Sequence, residues 1–188
     1  PGDEVRFIDW NVSARLGHPY VKQFVEERQT TVMLVVDVSA SQQVALGGRS
    51  KRITTAELCA LLASAADANQ DRTGLVTFTD TLEAVVPPGR GRRQMMRVLD
   101  QVLASEHKGS GTALSVGIDA ANRLCRHRSV VVVLSDFLDA DEYEPALRRL
   151  ARRHDVLCLV VTAPGEVAPH FDEPVLIEDA ETGEVYEV

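Results

Sequence analysis

Two apolar runs, each ending in a carboxylate, constrain the fold more than any other feature of the chain. They are Val32-Met33-Leu34-Val35-Val36-Asp37 and Ser129-Val130-Val131-Val132-Val133-Leu134-Ser135-Asp136. Short runs rich in β-branched residues read as strands buried on both faces. Three helical periodicities lie between the two runs, and a fourth comes after the second. Leu58, Leu61, Leu62 and Ala65 share one face of a helix over about 51–69, with Ser50 as its N-cap. Met95, Val98, Leu99 and Val102 do so over about 92–104. Leu114, Ile118, Ala121, Leu124 and Cys125 mark a third helix. Tyr143, Leu147, Leu150 and Ala151 mark a fourth, for which Asp141 and Glu144 suggest a capping box.

The remaining strands fill the gaps. Residues 72–79 and 82–86 are joined by the tight Asp80-Thr81 turn, so they should pair as an antiparallel hairpin. Pro87-Pro88-Gly89 ends the second of them, which places it at a sheet edge. Residues 156–162 read as a further buried strand, and 174–177 as a last short one, with a small hairpin around Thr182-Gly183. Strands alternating with helices imply an α/β domain with a mostly parallel sheet, helices on both faces and one antiparallel edge strand. Residues 31–188 make up that domain. Residues 1–30 read as an extended arm with one strand at 20–25, packed onto the domain and too short for a core of its own.

Composition narrows the function. Hydrophobic residues are 45% and charged residues 26%, a globular balance, and no apolar run approaches the roughly 20 residues of a membrane span. The net charge of -8 argues against a general nucleic-acid binder. Of the basic clusters, Arg90/Arg92/Arg93/Arg97 is the one to test against an acidic partner, whereas most such clusters are solvated helix faces. Cys59, Cys125 and Cys158 are far apart, with no CxxC pair, which fits free thiols in a reducing, cytoplasmic compartment. The chain begins at Pro1 and not Met, which reads as a piece excised from something longer.

The strand ends carry the chemistry. Asp37, Ser39 and Ser41 alternate along one turn, Thr112 opens a helix, and Asp136 ends the second apolar run. Ligands of open α/β sheets gather at carboxyl ends of strands where strand order reverses. If the two runs are neighbours, these hard oxygens face one crevice, a donor set for Mg²⁺ or Mn²⁺ rather than zinc or copper. Each residue also has a plain role: Asp and Ser make turns, and Thr112 caps a helix.

Asp37-Val38-Ser39-Ala40-Ser41 resembles the D-x-S-x-S motif of von Willebrand factor A-like domains, Thr112 their second-loop threonine and Asp136 their third-loop aspartate. The resemblance implies a Rossmann-like fold and a metal-ion-dependent adhesion site built from Asp37, Ser39, Ser41, Thr112 and Asp136. Gln42 departs from the pattern, since many such domains have Met there. A narrower likeness covers the whole chain. Gly2-Asp3-Glu4-Val5-Arg6-Phe7-Ile8-Asp9-Trp10, Ser13-Ala14-Arg15, Val25-Glu26-Glu27-Arg28, Pro87-Pro88-Gly89-Arg90-Gly91-Arg92-Arg93 and Ser135-Asp136-Phe137 resemble the bacterial domain of unknown function fifty-eight. That implies an adaptor for a MoxR-type AAA+ ATPase in chaperone-like assembly or metal insertion.

The expected function is therefore a metal-dependent protein-interaction module and not an enzyme. The alternatives are a metal-independent scaffold of the same fold and a phosphoryl-transfer enzyme with Asp37 as nucleophile. The last is weakened by Ser39, which stands where a dehalogenase-like site has a second Asp, and by the lack of a Walker A loop or G-x-S-x-G elbow.

Overall fold

A computed structural model describes residues 10–18, 20, 29–43, 50–105, 111–139, 142–163, 166, 176–178 and 185–187. Five strands form the main sheet: β1 (Thr31–Asp37), β2 (Arg72–Phe78), β3 (Leu82–Gly89), β4 (Val130–Ser135) and β5 (Asp155–Val160). Their order is β3-β2-β1-β4-β5. Only β3 runs antiparallel, paired with β2 at the edge as its proline-terminated hairpin requires. β1 lies between β2 and β4 and is parallel to both, with Leu34 beside Leu75 and Val132.

Alternation along the strands divides the core into two layers. Met33, Val35, Val76, Phe78, Val131 and Val133 face α4 (Leu114–Leu124) and α5 (Glu144–Ala151). Leu34, Val36, Leu75, Val132 and Leu134 face α2 (Lys51–Ala68) and α3 (Arg92–Ala104). The architecture is the expected α/β one, a mostly parallel sheet with helices on both faces and one antiparallel edge strand. The chain goes from β1 to β2 on one side and, after β3, to β4 on the other. Strand order therefore reverses between β1 and β4, which places a crevice at their carboxyl ends.

Several expectations are corrected. The stripe α2 buries is Thr55, Cys59, Ala63 and Ala66, not Leu58, Leu61, Leu62 and Ala65. Small side chains let the helix axis approach the sheet closely, while Leu58 and Leu62 wedge at its flanks and Leu61 is exposed. β5 is not a buried strand: it is the last of the sheet, and Leu157, Cys158 and Val160 are exposed. The fourth helix begins at Glu144 with Tyr143 at its N-cap, so Glu144 is not the third residue of a capping box. Asp141 lies outside the described residues. In the amino-terminal arm, Trp10–Leu16 forms a short helix, α1, in place of extended chain. The strand expected at 20–25 falls outside the described residues except for Tyr20, which is in no regular element. The late hairpin is present as β6 (Leu176–Glu178) and β7 (Val185–Glu187), paired antiparallel. All three cysteines are free. Among the described residues, no helix is long and apolar enough to cross a membrane.

His154, at the entry to β5, is 4% exposed, and neither ring nitrogen has a hydrogen-bond partner among the described residues. Burial pushes its pKa below the ordinary 6.5, Arg153 lowers it further and Asp155 opposes both. The unfolded chain takes up the proton first as pH falls, so the fold loses stability below about pH 6.5, down to the lowered value in the fold. The urea midpoint should fall more steeply between pH 7 and about pH 5.5 in the wild type than in His154→Leu. Parallel pH profiles would remove His154 as the cause.

Candidate functional site

Asp37 ends β1, and Ser135 ends the neighbouring β4. The Asp37 carboxylate is buried between them. Its Oδ1 accepts the Ser39 amide at 2.9 Å, and its Oδ2 accepts the Ser135 hydroxyl at 2.6 Å. Ser135 Oγ in turn accepts the Phe137 amide at 3.0 Å. Burial raises the Asp37 pKa, the Ser135 and Ser39 hydrogen bonds pull it back, and the nearby Asp136 charge raises it again. The carboxylate is thus held rigidly at some electrostatic cost, an arrangement typical of functional sites.

Beyond Asp37 the chain makes one 3-10 turn, Ala40–Gln43. Ser39 is buried and Ser41 half-buried, with their hydroxyl oxygens 3.0 Å apart. Neighbouring ligands of an octahedral Mg²⁺ at about 2.0–2.1 Å stand about 2.9 Å apart. The two hydroxyls are hydrogen-bonded to each other at their separation, and the same spacing would suit that ion, as would the hardness of the oxygens. Among the described residues no group of three or more His, Cys, Asp or Glu could hold a metal, so any ion here depends on hydroxyls.

Asp136 follows β4 directly and is 6% exposed. Its Oδ1 accepts the Leu138 amide at 3.2 Å. The intervening Phe137 has φ +59°, the left-handed region that bulky residues rarely occupy. Such strain concentrates at sites where a loop must present a side chain in one orientation. The Oδ2 of Asp136 accepts the Lys51 ammonium at 2.8 Å.

Lys51 does not stand out in the sequence, yet it is among the largest fully buried side chains. It also bonds Glu166 Oε1 at 2.7 Å, while Glu166 Oε2 accepts the Ala163 amide at 3.0 Å. One ammonium thus bridges carboxylates that follow β4 and β5. Burial alone would lower the Lys51 pKa, but hydrogen bonds and charges from Asp136 and Glu166 outweigh it and raise the value. A signal for this exists: Lys51 is the first residue of α2, where the helix macrodipole disfavours a cation, and no acid occupies that first turn.

Thr112 lies half-buried two residues ahead of α4. Its loop is tied to both neighbours: Ala113 N–H donates to the Thr79 carbonyl at 3.0 Å and Leu114 N–H to Asp139 Oδ2 at 2.7 Å. Asp139, equally inconspicuous in the sequence, therefore joins the loop after β4 to the start of α4. Of the five predicted residues, Asp37, Ser39 and Ser41 share one turn, Asp136 lies near enough for its charge to act on Asp37, and Thr112 is carried on the adjoining loop.

Gln42 is 2% exposed, and neither its amide oxygen nor its nitrogen finds a partner among the described residues. It shares a cavity of about 10 Å³ with Asp37, Ser39, Arg52 and Thr55, whose hydroxyl is also unpartnered. That is room for about one water molecule. A polar side chain thus fills a buried packing position beside the candidate site.

The family described as protein of unknown function DUF58 matches residues 1–188. Uncharacterized proteins of Mycobacterium bovis and Mycobacterium tuberculosis are 33% identical over 189 residues, covering 100% of this chain and 60% of theirs. The chain therefore spans less than two thirds of the length of these relatives. Among solved structures, an aerotolerance-related membrane protein from Bacteroides fragilis superposes with a TM-score of 0.62 at 18% identity, covering 85% of this chain and 81% of that one. The conserved hypothetical protein BatB from Bacteroides thetaiotaomicron gives 0.62 at 17% identity, with 84% and 75% covered. At these identities the likeness is one of fold.

Proposed function

We propose that this chain, which belongs to the DUF58 family, is a protein-interaction module that docks an acidic group of its partner in the crevice between the ends of β1 and β4. The observation that carries this reading is the convergence there of Asp37, Ser39 and Ser41 from one turn with Asp136 from the neighbouring strand. In its finer form, Mg²⁺ or Mn²⁺ is held by Ser39, Ser41 and Thr112 together with Asp37 and Asp136. Such an ion supplies the positive charge that a partner carboxylate seeks. The chain's own residues prepare the place: Ser135 and the Ser39 amide orient Asp37, and the Phe137 turn orients Asp136.

The family resemblance supplies the partner class, a MoxR-type AAA+ ATPase, for which the domain acts as adaptor on the cytoplasmic side. Binding rather than catalysis is favoured because both Asp37 oxygens are engaged in a buried setting, a poor arrangement for a nucleophile. A second reading, the metal-independent scaffold, has one observation in its favour: Lys51 already provides a cation at Asp136.

Capture of a purified MoxR-type ATPase on the immobilised domain tests both. The expected result is capture in Mg²⁺ that falls at least about tenfold with chelator and in Asp37→Ala or Ser39→Ala, the scale of losing one buried charged contact. Capture indifferent to chelator would select the scaffold. Absence of capture would remove the ATPase as partner.

A further inference from the structure

The site holds a cation of its own. Lys51 Nζ lies 2.8 Å from Asp136 and 2.7 Å from Glu166, and the Lys51 and Asp136 side chains are each 1% exposed. Of the two Asp136 oxygens, Oδ1 accepts the Leu138 amide and Oδ2 is the one this ammonium already holds. A divalent ion cannot use that oxygen fully while Lys51 keeps it, because two cations on one buried carboxylate oxygen repel strongly at low dielectric. Glu166 differs from Asp136 in being one-quarter exposed. It offers the ammonium a second carboxylate at the rim, one that Lys51 can keep when Asp136 is taken.

We propose that Lys51 is the resident cation of this site, and that a divalent ion enters by exchange with its ammonium group rather than by filling an open cradle. The proposal rests on the metal-dependent reading above and gives it a control element. Lys51 neutralises Asp136 while no ion is bound, which keeps the crevice folded, and it sets a threshold that the ion must exceed. The exchange also moves positive charge from Asp136 toward Glu166, so both carboxylates stay paired before and after. Metal affinity in the wild type is consequently lower than its oxygen donors alone would give. Loss of the Lys51 charge should tighten binding without any new ligand.

Mn²⁺ titration by calorimetry tests this on the wild type, Lys51→Met and Lys51→Gln. The glutamine variant retains a donor for Asp136 without the charge, which guards against a methionine variant that fails to fold. The expected result is binding at least about tenfold tighter in either folded variant than in the wild type, the scale of one removed charge contact. Thermal shift gives the second readout: Mn²⁺ should raise the melting temperature of Lys51→Gln more than that of the wild type. Ser39→Ala placed on Lys51→Gln should abolish the gain, which locates the ion at this site. Equal or weaker Mn²⁺ binding in the variants would overturn the exchange and leave the metal-dependent reading standing. Absence of binding in wild type and variants alike would overturn both.

Discussion

Lys51→Met should lower the free energy of unfolding by about 3–5 kcal/mol in metal-free buffer at neutral pH, measured by urea denaturation. The loss comes less from the broken attraction than from what remains. Asp136 stays buried at 6% exposure with the Leu138 amide as its remaining hydrogen-bond donor among the described residues. An uncompensated buried charge costs several kcal/mol, far more than the roughly 0–1 kcal/mol typical of an exposed pair. Exposed pairs occur in the same fold, such as Arg128 with Asp155 and Arg148 with Glu144, and their removal should barely register. Saturating Mn²⁺ should restore part of the loss, about 2.7 kcal/mol at a hundred times the dissociation constant. A loss below about 1 kcal/mol would class the Lys51 bridge with the surface pairs.

Gly117→Ala should destabilise the fold by at least about 1 kcal/mol, although alanine is the better helix former by about 0.8–1.0 kcal/mol. Gly117 lies inside α4, and a Cβ there would stand 2.4 Å from Cδ1 of Phe78. Phe78 is fully buried between β2 and α4, so its ring has nowhere to retreat. Overpacking of this kind costs about 1–3 kcal/mol or more, which outweighs the propensity gain. A double-mutant cycle with Phe78→Leu measures the contact. The alanine should cost less beside leucine than beside phenylalanine, and equal costs would assign the effect to the helix alone.

Neither the Lys51 bridge nor the Gly117 contact is visible in the sequence, whereas the frame around them is. Strand positions and sheet type are legible because buried parallel strands such as Val130–Ser135 are continuous β-branched runs. The hairpin is legible because Asp80-Thr81 and Pro87-Pro88 leave little alternative. The buried face of α2 is not, because Leu58, Leu61 and Leu62 weigh more in a periodicity than Thr55, Cys59 and Ala63, although close approach to the sheet selects the small ones. The exposure of β5 is hidden as well, because Val156, Leu157 and Leu159 look like core until the strand order places them last. The candidate site is legible in its oxygens, since short turns carry them in sequence. Its cation is not, because Lys51 and Asp136 stand 85 residues apart and only the macrodipole mismatch at α2 hints at a partner.

The central place of β1 also has a consequence in time. β1 and β2 are near in sequence, whereas the Asp37–Ser135 bond closes a separation of 98 residues. Loop-closure entropy and slow non-local pairing set when such contacts become available during folding. A chain emerging from the ribosome can pair Thr31–Asp37 with Arg72–Phe78 and its hairpin long before Val130–Ser135 exists. Until that strand docks, Asp37 has no Ser135 and Lys51 has no Asp136. The candidate crevice is therefore complete only once the second half of the sheet has docked.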